Sequence, residues 1–158
     1  MHIRNYEKSD KPALIELTMR VWEPVFRQMQ ETMSAEIYEV FVPDWRKEQL
    51  RSIDSVCDSE DVEVIVAEID GVVVGFSSAK SHPEDFLGEV VMIGVDPEYQ
   101  KQGIGTALME ASLAIIKRNG FELAMVETGG DPAHASARKT YEKMGFENWP
   151  VARYLKRI

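Results

Sequence analysis

The 158-residue sequence predicts a single mixed α/β domain covering residues 1–158. Three observations predict it. Apolar residues recur at helical spacing through the first third of the chain, strand-like apolar segments crowd the middle, and helix and strand signals then alternate to the end. No repeat, low-complexity tract or linker divides the chain. A chain of this length buries roughly 70% of its unfolded surface. Its 44% hydrophobic and 28% charged residues are those of an ordinary soluble globular protein.

The segment Ile3 to Tyr6 reads as a short strand, and Ser9-Asp10-Lys11-Pro12 as a helix start with proline in the first turn. Leu14, Leu17, Val21 and Val25 then recur at helical spacing, and Pro24 is expected to bend or interrupt that helix. A second helical region runs from Ser34 through Leu50 to Ile53, broken near Pro43. The period then changes to that of strands. VEVIVAEI closes on Asp70-Gly71, a hairpin signal, and VVVGFSSAK returns. EVVMIGV, Glu89 to Val95, is apolar on both faces and is expected to be the central buried strand. An amphipathic helix opens behind Gly103 and Gly105 and ends at Asn119-Gly120, where Gly120 suits a left-handed cap. ELAMVET is the next strand, and Asp131-Pro132 starts a helix that ends at Gly145. A last strand is expected at Val151 to Leu155, giving the order β α α β β β α β α β.

Composition excludes some functions. A net charge of −9 argues against a nucleic-acid partner, whose affinity depends on Lys and Arg neutralising phosphates. No apolar run reaches the roughly 18 residues of a membrane span. MHIRNYEKSD turns polar after Ile3, so no signal peptide is expected there. Cys57 is the only cysteine, which excludes an internal disulfide and suits a reducing cytoplasm. No His/Cys/Asp/Glu cluster shows metal-ligand spacing, and no metal is expected.

Gly103 and Gly105 raise a question, because each glycine costs roughly 1 kcal/mol relative to alanine in a helix. A P-loop is excluded, since no Gly-Lys-Ser/Thr ending follows. The dinucleotide fingerprint fails too: Leu108 stands at its third glycine, and Asp96 to Gln102 separates the strand from Gly103. The residues alone leave two explanations, tight helix–strand packing or the close approach of an anion to the backbone.

Strand EVVMIGV, Asp96-Pro97 and Gln100-Lys101-Gln102-Gly103-Ile104-Gly105 together resemble the Gln/Arg-x-x-Gly-x-Gly/Ala signature of the GNAT family of N-acetyltransferases. A second stretch, HASARKTYEKMGF, resembles that family's C-terminal helix, Asn-x-x-Ala-x-x-x-Tyr-x-x-x-Gly-Phe. Ala137, Tyr141, Gly145 and Phe146 fall in register, and His134 replaces the usual asparagine.

This resemblance implies a mixed, mostly antiparallel central sheet flanked by helices, with acetyl-CoA as cosubstrate. Gln100, Lys101, Gln102, Gly103, Ile104, Gly105 and Thr106 would then receive the diphosphate of coenzyme A. The unsatisfied amides and positive dipole end of a helix N-terminus favour such an anion. Ile93 and Val95 are implied contacts of pantetheine and acetyl group, and His134, Ala137 and Arg138 share a helix face with Tyr141. Tyr141 matches the family's general acid. Glu89 matches a glutamate that activates the amine through water in some relatives, and equally fits a solvated carboxylate. Asp131 reads as a helix cap, Glu127 as an ordinary strand residue and His82, in SHPED, as a loop residue. Trp22, Glu23, Phe26, Met29 and Met33 either line an acceptor site or belong to the core. The implied activity is transfer of an acetyl group from acetyl-CoA to a primary amine of a small molecule, protein N-terminus or lysine. A non-catalytic acyl-CoA-binding sensor or regulatory module is the other reading, which the replaced asparagine leaves open. The family also allows a homodimer.

Overall fold

Strands β1 (His2–Asn5), β2 (Val62–Ile69), β3 (Val72–His82), β4 (Leu87–Val95) and β5 (Leu123–Val126) form one sheet in the order β1-β2-β3-β4-β5. The first three pairings are antiparallel and β4–β5 is parallel. The sheet is therefore mixed and mostly antiparallel, as the family resemblance implies. The computed structural model describes residues 1–158, and they cluster into two compact units. The first unit, Met1–Val21 with Arg46–Glu127, holds the sheet; the second comprises Trp22–Trp45 and Thr128–Ile158.

Local chemistry explains most of the first unit. Asp70 (φ 51°) and Gly71 (φ 80°) both take positive φ, as a two-residue hairpin turn between β2 and β3 requires. The parallel β4–β5 pairing needs a crossover, and helix α4 (Ile104–Arg118) supplies it. Gly120, at φ 91°, stands just beyond that helix in the expected left-handed conformation. Ile104, Leu108, Met109, Ile115 and Ile116 of α4 are buried, together with Val66, Val74 and Phe76 of the sheet. Leu14 and Leu17 come from α1 (Lys11–Thr32), and Ile53 and Val56 from α3 (Trp45–Asp58). Lys11 Nζ ties these helices, at 3.0 Å from Asp54 and 2.9 Å from Asp58.

The buried central strand is β3 rather than β4. Val73 to Ala79 are all buried, whereas Val91 in the middle of β4 is 38% exposed. The reason is position: β3 has long neighbours on both sides, while β4 is flanked by the four-residue β5. The β3–β4 register also shifts. Ser78 pairs with Met92 and Ala79 with Val90, so Val91 has no partner and forms a bulge. Directly opposed residues share a face. Gly88 and Val90, then Ile93 and Val95, therefore lie on the face of Ser77, whose Oγ is 2.8 Å from Ser112 of α4. Glu89 lies on the other face, opposite Lys80.

In the second unit, α2 (Ala35–Phe41) precedes the break at Pro43, and Phe26 stacks on Trp45 at 4.9 Å and 14°. Asp131 caps a 3-10 turn, Pro132–His134, that leads into α5 (Ala135–Lys143), and Gly145 follows at φ 86°. No residue of this unit is fully buried.

Two expectations are corrected. Pro24 does not interrupt α1, one of the two effects expected of it: the helix continues to Thr32, because a proline removes one helical hydrogen bond and the remaining ones carry the helix past it. No strand forms at Val151 to Leu155. A strand needs a backbone partner, and no segment of the chain pairs with these residues, so Val151 and Tyr154 stay exposed.

Candidate active site

The loop after β4 is built on Asp96. Its side chain is buried, its Oδ1 accepts from Glu98 N–H at 3.0 Å, and its Oδ2 accepts from Arg20 Nε at 2.9 Å. Pro97 opens a 3-10 turn, Pro97–Tyr99, and Gln100 Nε2 donates back to the Val95 carbonyl at 3.1 Å. Lys101 then takes φ 62° and Gly103 φ 82°, which turns the chain sharply into α4. Ala107 N–H bonds to Gly103 O at 3.0 Å, so the amides of 104–106 precede the first intrahelical bond. Gly103 has no side chain to cap them.

The two explanations of the glycines now separate. A Cβ on Gly103 would meet no heavy atom within 4 Å, and one on Gly105 would meet only Val95 Cγ2, at an ordinary 3.7 Å. Neither glycine is needed for packing inside the protein. Gly103 is required by its positive φ, and beside Gly105 there is room that a Cβ would enter. These features fit a diphosphate at the helix N-terminus. Gln100, Lys101, Gln102, Gly103 and Thr106 are exposed around those amides. Ile104 differs: it is only 2% exposed, so its side chain anchors the loop in the core and only its backbone could serve an anion.

Along β4, the pairing with β5 ends at Val90↔Val126, one residue before the bulge. From Val91 to Val95, including the expected contacts Ile93 and Val95, no strand covers the β5-side edge. Glu89 lies just before this point, and its Oε2 is 2.8 Å from His82 Nε2. His82 is thus not merely a loop residue. It is the last residue of β3, on the same sheet face as Glu89.

In the second unit, His134, Ala137, Arg138 and Tyr141 are all half-buried along one line of the 3-10 turn and α5. His134 Nδ1 lies 2.7 Å from Asp131 Oδ2. Burial pushes the Asp131 carboxyl up, but hydrogen bonds from His134 and from the Ala133 N–H outweigh it and leave it below its usual value. Asp131 is therefore a cap, as expected, and a partner of His134 besides. Arg138 Nη1 donates to the carbonyls of Gly129 and Asp131, holding this loop rather than standing free. The Tyr141 ring lies 5.9 Å from Phe146, and burial raises its phenol, so the hydroxyl keeps its proton at neutral pH.

Among the suggested acceptor residues, Phe26 belongs to the Trp45 stack and Glu23 lies 3.9 Å from Arg27. Trp22, Met29 and Met33 are half-buried. Sequence reasoning missed Arg20, Asp96 and His82 as site-building residues. Asp96-Pro97 carries the same cap-and-proline signal as Asp131-Pro132, so it was readable; Arg20 and His82 depend on distant partners. His82, Glu84 and Asp85 also bring possible ligand atoms within 4.8 Å of one another, closer than the sequence suggested. Glu84 and Asp85 are exposed and Glu89 already engages His82 Nε2, so the cluster does not by itself make a metal site.

An amide-lined helix start beyond a bulged strand, on a mixed five-stranded sheet, defines the class of protein. The acetyltransferase (GNAT) family matches residues 28–146, and the chain belongs to that family. A mycothiol acetyltransferase from Thermobispora bispora is 37% identical over 91 residues, 54% of this chain and 30% of that protein. The chain spans about a third or less of the length of the curated relatives it matches. Among solved structures, the fold is similar to PaiA N-acetyltransferase from Thermoplasma acidophilum in complex with coenzyme A. The TM-score is 0.72 and the identity 21%, over 96% of this chain and 92% of that one. It is also similar to aminoglycoside N-acetyltransferase AAC(6')-Iy in complex with CoA, with a TM-score of 0.68 and 18% identity over 99% and 95% of the two chains. No helix is long and apolar enough to cross a membrane.

Proposed function

We propose that residues 1–158 act as one acetyl-CoA-dependent N-acetyltransferase domain. The observation that carries this reading is the start of α4, where the amides of 104–106 precede the first helical bond, a Cβ on Gly103 would meet no heavy atom within 4 Å, and one on Gly105 would meet only Val95 Cγ2. Acetyl-CoA supplies the thioester. Glu89 takes the proton that the amine sheds, through water, as the nitrogen bonds to the acetyl carbon. The carbon–sulfur bond breaks, and the Tyr141 hydroxyl gives its proton to the leaving sulfur. The phenol arrives protonated, as a general acid must, and burial makes it a weaker acid than a free tyrosine, so the transfer depends on its placement beside the sulfur. The edge of β4 beyond Val90 would offer backbone N–H groups to the thioester oxygen. Gln100 to Thr106 hold the diphosphate, while Ile93, Val95, His134, Ala137 and Arg138 serve the pantetheine arm.

The acceptor is a primary amine, and the names of the relatives put mycothiol-type and aminoglycoside acceptors at the head of a test panel. A cytoplasmic location belongs to the same proposal, supported by the single cysteine. So does a homodimer, supported by the exposed apolar tail residues Trp149, Val151 and Tyr154; a monomer in sedimentation velocity would refute it. The test of function is free-thiol release from acetyl-CoA across amines of several classes, alongside direct measurement of acetyl-CoA binding. Tight binding with no release for any amine would favour the non-catalytic acyl-CoA-binding module.

A further inference from the structure

We propose that His82 is a positioning residue that holds Glu89 for proton abstraction from the acceptor amine. The proposal rests on the acetyltransferase reading and deepens it. In the β3–β4 register Lys80 faces Glu89 and His82 faces Leu87, so His82 and Glu89 are diagonal neighbours on one sheet face, within reach of long side chains. Lys80 stands directly opposite the carboxylate, yet the imidazole holds it: His82 Nε2 is 2.8 Å from Glu89 Oε2. Both side chains are largely covered, at 20% and 24% exposure.

The local sequence presets the ring. Pro83 disfavours helical backbone at the residue before it, and His82, at φ −119° and ψ 81°, lies outside the helical region. Pro83 then opens the turn Pro83–Asp85, and Phe86 at φ 57° returns the chain into β4. On the ring's far side, Glu84 Oε1 is 3.7 Å from Nδ1, too far for a hydrogen bond, and Glu84 is 69% exposed. His82 is therefore gripped at Nε2 alone.

The consequence for chemistry is directional. A glutamate on a strand otherwise samples several rotamers, few of which aim a lone pair at a bound amine. With Nε2–H donating to Oε2, Oε1 is the oxygen left to act. The amine's proton passes to Oε1 directly or through one water and leaves later to bulk water, while His82 keeps its own proton throughout. No redox partner or further reactant enters.

The experiment compares wild type, His82→Ala, His82→Gln, Glu89→Gln and the His82→Ala/Glu89→Gln double variant. Thiol release with a responsive amine, acetyl-CoA affinity and thermal stability are measured for each. A misaligned base costs up to roughly a hundredfold, so His82→Ala is expected to lower kcat about ten- to hundredfold. Acetyl-CoA affinity should stay within about twofold. Glutamine keeps an N–H near the place of Nε2, and His82→Gln should recover most of the rate. In the Glu89→Gln background, His82→Ala should cost less than about twofold, because coupled residues are not additive. A full loss in that background, or no recovery by glutamine, would overturn the proposal. A second readout needs no turnover. The chain has three histidines, and a slowly exchanging His82 Nε2–H resonance is expected in wild type and absent in Glu89→Ala. If that resonance survives Glu89→Ala while wild type acetylates an amine, the positioning role alone falls. If wild type acetylates no amine, the acetyltransferase reading falls and takes the positioning role with it.

Discussion

Gly105→Val separates the ligand from the fold; alanine would not serve, because the family signature itself admits Gly or Ala at this position. Gly105 is in the first turn of α4, its φ lies outside the left-handed region, and its added Cβ would meet only Val95 Cγ2 at 3.7 Å. Valine is favoured over glycine in a helix by roughly 0.3 kcal/mol. For a chain of this size, 1 kcal/mol moves Tm by about 2–4 °C, so the free protein should melt within about that range of wild type. The two methyl groups beyond the Cβ would enter the space beside the amides of 104–106. Displacing one charge-assisted hydrogen bond to a phosphate oxygen costs about 1.5–3 kcal/mol, a loss of affinity of roughly ten- to hundredfold. Gly103→Ala provides the contrast. At φ 82° and ψ −2° a Cβ costs about 1–2 kcal/mol of backbone strain, so that variant should melt lower as well as bind more weakly. Differential scanning fluorimetry of the free protein and isothermal titration calorimetry with acetyl-CoA read both quantities. Wild-type affinity in Gly105→Val would refute the placement of the diphosphate.

Tyr141→Phe keeps the ring against Phe146 and removes the proposed proton donor. Turnover should fall by about a hundredfold, the lower end of general acid catalysis, with acetyl-CoA affinity nearly unchanged; a loss under about threefold would exclude the acid role. Gly129→Ala should open the loop before α5, since its Cβ would stand 2.2 Å from Asp131 Oδ2 and 2.6 Å from His134 Nδ1. Such overpacking costs about 1–3 kcal/mol, and a urea midpoint equal to wild type would show that the pair simply moves aside. Asp10 predicts an acid limit to stability. Arg4 hydrogen bonds, 2.7 and 2.9 Å long, lower its carboxyl below 3.8, burial opposes them, and the Glu7 N–H adds to them. A depressed carboxylate contributes stability that is fully present above its unfolded value near 3.8 and is lost as pH falls through the lower folded value. Tm measured from pH 6 to pH 2 should fall in that window, and Asp10→Asn should flatten the fall; an unchanged slope would exclude Asp10 as its source.

Features set by adjacent residues were legible in the sequence. Asp70-Gly71, Asp131-Pro132, Gly120 and Gly145 act through their own φ, their own cap or their own missing N–H, and each stands where expected. Features set by distant partners were not. Pro24 carries a local penalty, yet the helix hydrogen bonds on either side outlast it. Val151 to Leu155 has strand composition, but composition cannot supply the neighbour that a strand needs. The Gln100–Gly105 loop was readable as a motif, whereas its foundation was not. Arg20 meets Asp96 across 76 positions of sequence, and nothing near either residue announces the other.

The bulge at Val91 explains why the role of His82 could not be read from spacing. Under strict alternation, Glu89, Ile93 and Val95 would share one face of β4, and Glu89 would point the same way as the residues beside the amide loop. The unpaired Val91 reverses the parity. Val95 comes to lie 3.7 Å from where a Gly105 Cβ would stand, on the α4 face, while Glu89 turns to the opposite face and meets His82. Pairing with β5 stops at the same place, so the half of β4 that leads into the loop keeps a bare backbone edge, and the half that carries the carboxylate is held on both sides. One extra residue thus gives a single strand two working surfaces: a rigid half that fixes Glu89 and His82, and an open half whose backbone can take a partner that is not a strand.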